Sequence, residues 1–171
     1  MKRLPKYTPA EVRNDPYGFT YKEMSEVIGE NEAKALYEEL YKQLPRKKNL
    51  SMLVKNICKS SDTEKYVYEL KDNKYIETVF IKRRDGGTVC VSTQVGCPVG
   101  CIFCESGRNG FVRNLTSSEI VQQIILLRRK VNRIVFMGMG EPLFNYDNLI
   151  KAIHILRDRS GLNFPTDGIT I

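Results

Sequence analysis

Cys97-Pro98-Val99-Gly100-Cys101-Ile102-Phe103-Cys104 sets the reading of the whole chain, because cysteines spaced C-x3-C-x2-C let one tight loop aim all of its sulfurs at a single point. Three is the informative count. A structural zinc site closes its tetrahedron with four protein ligands, and an electron-carrying iron–sulfur cluster ordinarily takes four cysteines. Three thiolates leave one coordination position open for chemistry. The single histidine, His154, lies in the helical-looking run Lys151-Ala152-Ile153-His154-Ile155-Leu156 and is a poor fourth ligand. The plainer alternatives are a zinc knuckle lacking one ligand and a chance grouping of structural cysteines; the spacing argues against both.

Upstream, residues 88–94 form a β-branched strand that delivers the chain into the cysteine loop. Alternation puts Cys90, Ser92 and Gln94 on one face and Val89, Val91, Thr93 and Val95 on the other. Cys90 as a fourth ligand would have to return from roughly 20 Å away on a straight strand, so a separate role is preferred. Before it, residues 65–70 and 74–81 flank Lys71-Asp72-Asn73 as strand, turn and strand, a hairpin. Tyr75, Glu77, Val79 and Ile81 share one face, and Glu77 is the odd carboxylate on it. Either it has a task, since an unpaired buried carboxylate is costly, or that end of the face is solvated.

The first 64 residues read as a helical accessory unit, ahead of the hairpin at 65–83 and a barrel portion at 84–171. Residues 1–18 are rich in Pro, Lys and Asp and read as an extended lead-in. Thr20 with Glu23 makes a capping box for a helix that Gly29 closes, residues 30–44 carry an amphipathic helix ended by Pro45, and residues 51–58 read as a third helix with Leu53, Val54 and Ile57 inward. On this reading Cys58, at its end, serves packing. Arg46-Lys47-Lys48 is a basic turn.

Downstream, residues 107–115 are a glycine-punctuated loop with two arginines, and Thr116 with Glu119 caps a helix bearing Ile120, Val121, Ile124 and Ile125. An apolar strand at 133–137 enters Gly138-Met139-Gly140-Glu141-Pro142; a helix at about 147–159, a loop and the opening of another strand at 168–171 follow. This alternation is that of an α/β fold with a parallel sheet or TIM-like barrel, in which chemistry collects at the C-terminal ends of strands. The cysteine loop and the Gly138–Glu141 segment both lie at such ends and converge on one mouth. Glycines there let backbone approach a ligand, and Glu141 offers a carboxylate to an ammonium group.

Composition bounds the partners. The chain has 171 residues, 42% hydrophobic and 9% aromatic, enough for a packed core, and a net charge of +7, which is compatible with a nucleic-acid partner. Five cysteines with no secreted disulfide pattern point to a reducing compartment, and no apolar leader or membrane-length stretch is present, so a cytoplasmic location is expected.

The C-x3-C-x2-C spacing with Phe103 before the last cysteine is similar to that of the radical S-adenosylmethionine (SAM) superfamily. Cys90-Val-Ser-Thr-Gln-Val-Gly-Cys97, Gly110-Phe111-x-Arg113-Asn114-Leu115-Thr116 and Phe136-Met137-Gly138-Met139-Gly140-Glu141-Pro142-Leu143 narrow the resemblance to the RlmN/Cfr family of RNA adenine methyltransferases. It is close over residues 77–171 and looser over 20–76. The resemblance implies a partial radical SAM barrel behind a small helical domain and a hairpin. It implies a [4Fe-4S] cluster on Cys97, Cys101 and Cys104 whose fourth iron SAM chelates, with Gly140 and Glu141 binding SAM. It further implies Cys90 as the resolving cysteine, with a low-pKa thiolate, and Glu77 of Glu-Thr-Val-Phe as the proton-transferring glutamate. One SAM would methylate a cysteine near the family's C-terminus and a second would activate that methyl group for transfer. The implied substrate is adenosine C2 in 23S rRNA or tRNA, with C8 the target of Cfr-type members; an electron donor such as flavodoxin is the implied partner. Departures are Glu105 where small residues are usual, a short accessory domain, and no cysteine after Cys104. With the chain ending at Ile171, about halfway through such a barrel, methyl transfer by this chain alone is not expected. The alternatives are a radical SAM enzyme of another subclass and a non-enzymatic, metal-binding RNA module.

Overall fold

A computed structural model describes residues 6–42, 50–108 and 110–171. Pro45 and the Arg46-Lys47-Lys48 turn lie outside the described residues. The described part of the lead-in expected to be extended is instead helical from Pro9: Thr8 and Glu11 form a capping box for α1 (Pro9–Asn14), and a 3-10 turn over Pro16–Gly18 buries Tyr17 completely. Those prolines start helical turns, where a missing N–H costs nothing. The Thr20–Glu23 box opens α2 (Tyr21–Ile28), Gly29 closes it, and α3 (Glu30–Lys42) follows. Val12, Tyr17, Met24, Ala33, Tyr37 and Leu40 make a small core of their own.

The expected helix at 51–58 is a strand, β1 (Met52–Lys59), paired antiparallel with β2 (Thr63–Leu70). Leu53, Val54 and Ile57 satisfy a helical spacing, but eight residues hold a helix poorly alone, whereas the turn at 60–62 lets them add to a ready sheet edge. Their side chains, and that of Cys58, are exposed rather than packed. The hairpin of β2 with β3 (Tyr75–Arg83) is as read, with Asn73 in the left-handed region at the turn.

Six strands form one sheet in the order β1-β2-β3-β4-β7-β8, with β4 (Gly86–Cys90), β7 (Arg133–Val135) and β8 (Ile169–Thr170) parallel to one another and the first four antiparallel. Helices α4 (Ser117–Leu127) and α5 (Tyr146–Arg157) supply the crossovers. Ile76, Phe80, Val89, Val91, Ile120 and Leu149 belong to the core between sheet and helices. The face of β3 carrying Ile76, Thr78 and Phe80 is therefore the buried one. Glu77, Val79 and Ile81 are on the half-open side, so of the two readings of Glu77's face the solvated one holds.

The strand expected at 88–94 does not run through. It leaves the main sheet after Cys90 and resumes as β5 (Gln94–Gly96), which pairs with β6 (Phe111–Asn114) in a separate two-stranded ribbon. Part of the expected loop at 107–115 is thus a strand, and Ser92, Thr93, Gln94 and Val95 are all buried whichever way they point.

Candidate active site

The cysteine loop is built by the β5–β6 ribbon. Gly96 has φ of 73°, and a Cβ there would stand 1.9 Å from the Gly110 carbonyl oxygen, so only glycine lets the two strands close the loop's base. Cys97 N–H donates to that same carbonyl at 3.2 Å. Within the loop, Cys104 N–H donates to Cys101 O at 3.0 Å, and a 3-10 turn over Glu105–Gly107 returns the chain toward β6. Cys97 and Cys104 are half-buried, Cys101 is exposed, and all three are free thiols. Ile102 and Phe103 between them are 99% and 89% exposed, so the tip of the loop stands in solvent. The donor set suits a group that takes three thiolates and leaves a position open. Among the described residues no three Cys, His, Asp or Glu side chains form a metal-binding arrangement. The charge of Glu105 is met by Arg108 at 3.1 Å.

Beside the loop runs the Gly138–Glu141 segment, and the residues just before the loop hold it. Thr93 N–H donates to Met139 O at 2.8 Å, Met139 N–H donates to Ser92 Oγ at 2.9 Å, and Glu141 N–H donates to Gln94 Oε1 at 2.8 Å. Gly140, with φ of 96°, passes so close to Gln94 that a Cβ would stand 2.6 Å from its Cβ. Gly138 is as tightly packed on Ser92. The glycines are therefore needed by the protein's own packing. The Glu141 carboxylate caps the following turn through Leu143 N–H at 3.3 Å and is half-exposed.

Glu77 and Cys90 share the sheet face away from the helices. Cys90 pairs with Val79, which makes Glu77 its diagonal neighbour, at about 7–8 Å between Cα atoms for such a pair. Glu77 is held by Lys65, whose Nζ stands 2.9 Å from Oε1, and the bond raises the lysine's pKa. The carboxylate is thus partnered and half-exposed rather than buried alone. A cleft of about 390 Å³ is lined by Glu77, Gly96, Glu105, Gly110 and Met139 among others, which joins the hairpin, the cysteine loop and the glycine segment in one mouth. His154 lines a different cleft, beside Lys6 and Tyr7. Burial pushes the Cys90 thiol up, and a backbone hydrogen bond to Met137 works weakly against it. That direction is opposite to the low-pKa thiolate that the resemblance implies.

The residues that sequence reasoning missed are those behind the mouth. Gln123, fully buried on α4, accepts from Thr78 Oγ1 at 2.7 Å and Ser92 N–H at 2.9 Å, and donates to Ser92 O at 2.9 Å and Glu119 O at 3.2 Å. It replaces the strand partner that Ser92 loses where β4 ends. Ser92 Oγ in turn donates to Glu77 O. Asn145 donates to Thr93 O at 2.8 Å and Leu115 O at 2.7 Å. The available signal was Gln122-Gln123 interrupting an otherwise apolar helix face.

The sequence profile of the radical SAM superfamily matches residues 91–171. A probable RNA methyltransferase of Rhodopseudomonas palustris is 57% identical over 109 residues, covering 64% of this chain and 30% of that protein. A probable dual-specificity RNA methyltransferase RlmN of Thermosipho melanesiensis is 41% identical over 175 residues, covering 98% of this chain and 50% of that protein. The crystal structure of a radical SAM methyltransferase from Sphaerobacter thermophilus superposes with a TM-score of 0.82 at 31% identity, covering 91% of this chain and 55% of that one. The chain spans between about a third and a half of the length of these curated relatives.

Proposed function

We propose a function from the premise that this chain belongs to the radical SAM superfamily as an RlmN/Cfr-type member: it serves methylation of adenosine, at C2, in 23S rRNA or tRNA. The observation that carries the reading is the direct hydrogen bonding between the strand residues preceding the cysteine loop and the Gly138–Glu141 segment, which makes the two motifs one site.

Cys97, Cys101 and Cys104 would hold a [4Fe-4S] cluster, and Gly140 and Glu141 would hold SAM. When bound, these groups supply one-electron cleavage and the methyl carbon, chemistry that belongs to the cofactor. The chain's own residues bind and orient. Glu141 presents a carboxylate for the ammonium of SAM, while Gln94 fixes its backbone and Leu143 N–H donates to the carboxylate. Glu77 is the group that takes or gives a proton at the substrate, and Lys65 keeps its carboxylate on the mouth side of the sheet. Cys90 acts as the resolving thiol. Attack requires the thiolate, so its proton must leave at that step, and partial burial protects the thiol from oxidants until then. The partners in this reading are the RNA and an electron donor such as flavodoxin.

The test is anaerobic reconstitution followed by metal and sulfide analysis. Iron and sulfide retained by the wild type and lost by Cys97→Ala, Cys101→Ala and Cys104→Ala variants support the cluster; one zinc per chain without iron or sulfide refutes it. Mass spectrometry of 23S rRNA and tRNA nucleosides, from cells with and without the gene, then reads whether 2-methyladenosine depends on it.

A further inference from the structure

At the end of the sheet opposite the cysteine loop, the β3–β4 turn and the segment after α4 bring Lys82, Arg83, Arg84, Arg129 and Lys130 around a shallow cleft of about 360 Å³. Among the described residues Glu64 is the one acid in its wall, and it is already engaged: Arg129 binds both carboxylate oxygens at 2.8 and 3.1 Å, with Tyr66 donating to one of them. Several cations elsewhere are paired with neighbouring carboxylates, as in Lys55 with Glu69, Lys65 with Glu77 and Arg13 with Glu32. Among the described residues, Lys82, Arg83, Arg84 and Lys130 have no carboxylate partner. Asp85 is the only acid in the turn that carries them.

The two cationic segments are locked to one another. Asn132 N–H donates to Gly87 O at 2.8 Å, and its side chain donates to Asp85 O at 3.2 Å. A Cβ on Gly87 would stand 2.4 Å from the Phe80 ring, so the turn lies flush against the sheet. The charges thus project from a fixed frame rather than from a wandering loop.

We propose that this rim is a second contact for the RNA substrate, one that binds backbone phosphates remote from the reacting base. The inference rests on the reading that RNA is the substrate. A multi-charged ligand suits unpaired cations spread along a rim. From Gly86 to Cys90 alone β4 runs roughly 13 Å, so only an extended polyanion touches both the rim and the mouth. The cleft's one aromatic, Phe80, is 4% exposed and offers no stacking surface, which favours phosphate contact over base readout. An anionic membrane is the weaker fit, because no exposed apolar side chain lines the cleft to enter a bilayer.

The experiment compares wild type, Arg84→Glu/Lys130→Glu, and a control of equal charge change, Lys22→Glu/Lys34→Glu, for binding of a labelled RNA hairpin across a salt series. Loss of two phosphate contacts should reduce the salt slope by about 2 and weaken low-salt binding about tenfold or more in the rim variant only. Equal weakening in rim and control variants overturns the proposal, since it would report net charge alone. A rim variant with the wild-type slope also overturns it while leaving the RNA reading intact; a wild type that binds no RNA overturns both. Circular dichroism melts matching wild type show that the variants fold. Vesicles containing phosphatidylserine form the second arm: rim-dependent binding there, with none to RNA, assigns the surface to a membrane and overturns the proposal.

Discussion

Replacing Gln123 by Met tests whether the mouth is held from behind. Methionine keeps the length and most of the volume of glutamine but neither its donors nor its acceptor, so packing changes little while hydrogen bonding changes a great deal. Ser92 N–H, Ser92 C=O and the Thr78 hydroxyl are all buried, and Gln123 is the partner each of them has in the structure. A buried polar group stripped of its partner costs about 1–3 kcal/mol, and with the Thr78 hydroxyl free to rotate the two Ser92 groups sum to about 2–6 kcal/mol. For a chain of this size that corresponds to a fall in Tm of roughly 4–24 °C. Thermal unfolding followed by circular dichroism reads the total. Amide hydrogen exchange at Ser92 reads the location, because its N–H should lose protection beyond what the lower global stability accounts for. Gln122→Met is the companion variant. Gln122 accepts from Ser51 N–H and donates to Ser118 Oγ, away from the mouth, so it should lower Tm without selectively exposing Ser92. A Gln123→Met protein melting within about 2 °C of wild type, with Ser92 still protected, would refute the claim that this side chain substitutes for a strand.

Further expectations follow from other contacts. Gly96→Ala puts a Cβ on the Gly110 carbonyl at a positive φ, so the base of the loop must open; Cys97 should then react faster with a thiol reagent, and an unchanged rate would count against the geometry. Cys90 should alkylate with a pH midpoint above the ordinary thiol value of about 8.5. Because the folded thiol holds its proton more tightly than the unfolded one, its contribution to stability is fully present below the ordinary value and is lost as pH rises through the raised one. A midpoint at or below the ordinary value contradicts the burial argument. Arg113 joins Asp72 of the hairpin turn, at 2.7 Å, to Glu119 at the start of α4, at 2.8 and 2.9 Å. Arg113→Met strips the guanidinium from a nearly buried carboxylate and should cost about 2–3 kcal/mol in denaturant unfolding, with a loss below about 0.5 kcal/mol arguing that the pair is screened. Glu64, held down to about 2 first by the Arg129 hydrogen bonds and then by Tyr66, contributes stability above the ordinary carboxylate range that is lost as pH falls toward that value. Arg129→Ala should move the low-pH end of the stability profile upward, and an unmoved profile would remove the pair from the account.

The parts of this fold that were legible are those decided locally. The capping boxes at Thr20 and Thr116, the closing role of Gly29 and the hairpin turn around Asn73 depend on residues within four positions of one another, and the structure has each of them. The errors lie where a distant partner decides. Residues 51–58 fit a helix until β2 offers an edge, and the chain after Cys90 alternates like a strand until Gln123, thirty-one residues beyond Ser92, satisfies that residue's backbone and frees it from the sheet. The face of β3 was open between two readings, and the solvated one holds: Ile76 and Phe80 face the core together with Thr78, whose hydroxyl Gln123 meets, while Glu77, Val79 and Ile81 are half-exposed.

Those long-range bonds also explain why the candidate site was readable as a set of residues but not as an arrangement. Alternation groups Cys90, Ser92 and Gln94, and the glycines mark Gly138 to Glu141, but nothing local says that one group hydrogen-bonds the other. In the structure Ser92 is the joint: its backbone is fixed by Gln123, while its hydroxyl donates to the Glu77 carbonyl and accepts from Met139 N–H. A displacement of Ser92 therefore moves both the Glu77 backbone and the glycine segment, two walls of the same mouth. Small, fully bonded polar side chains behind a mouth can carry its geometry even though they touch no ligand, which is why such groups escape motif reading and answer to mutation.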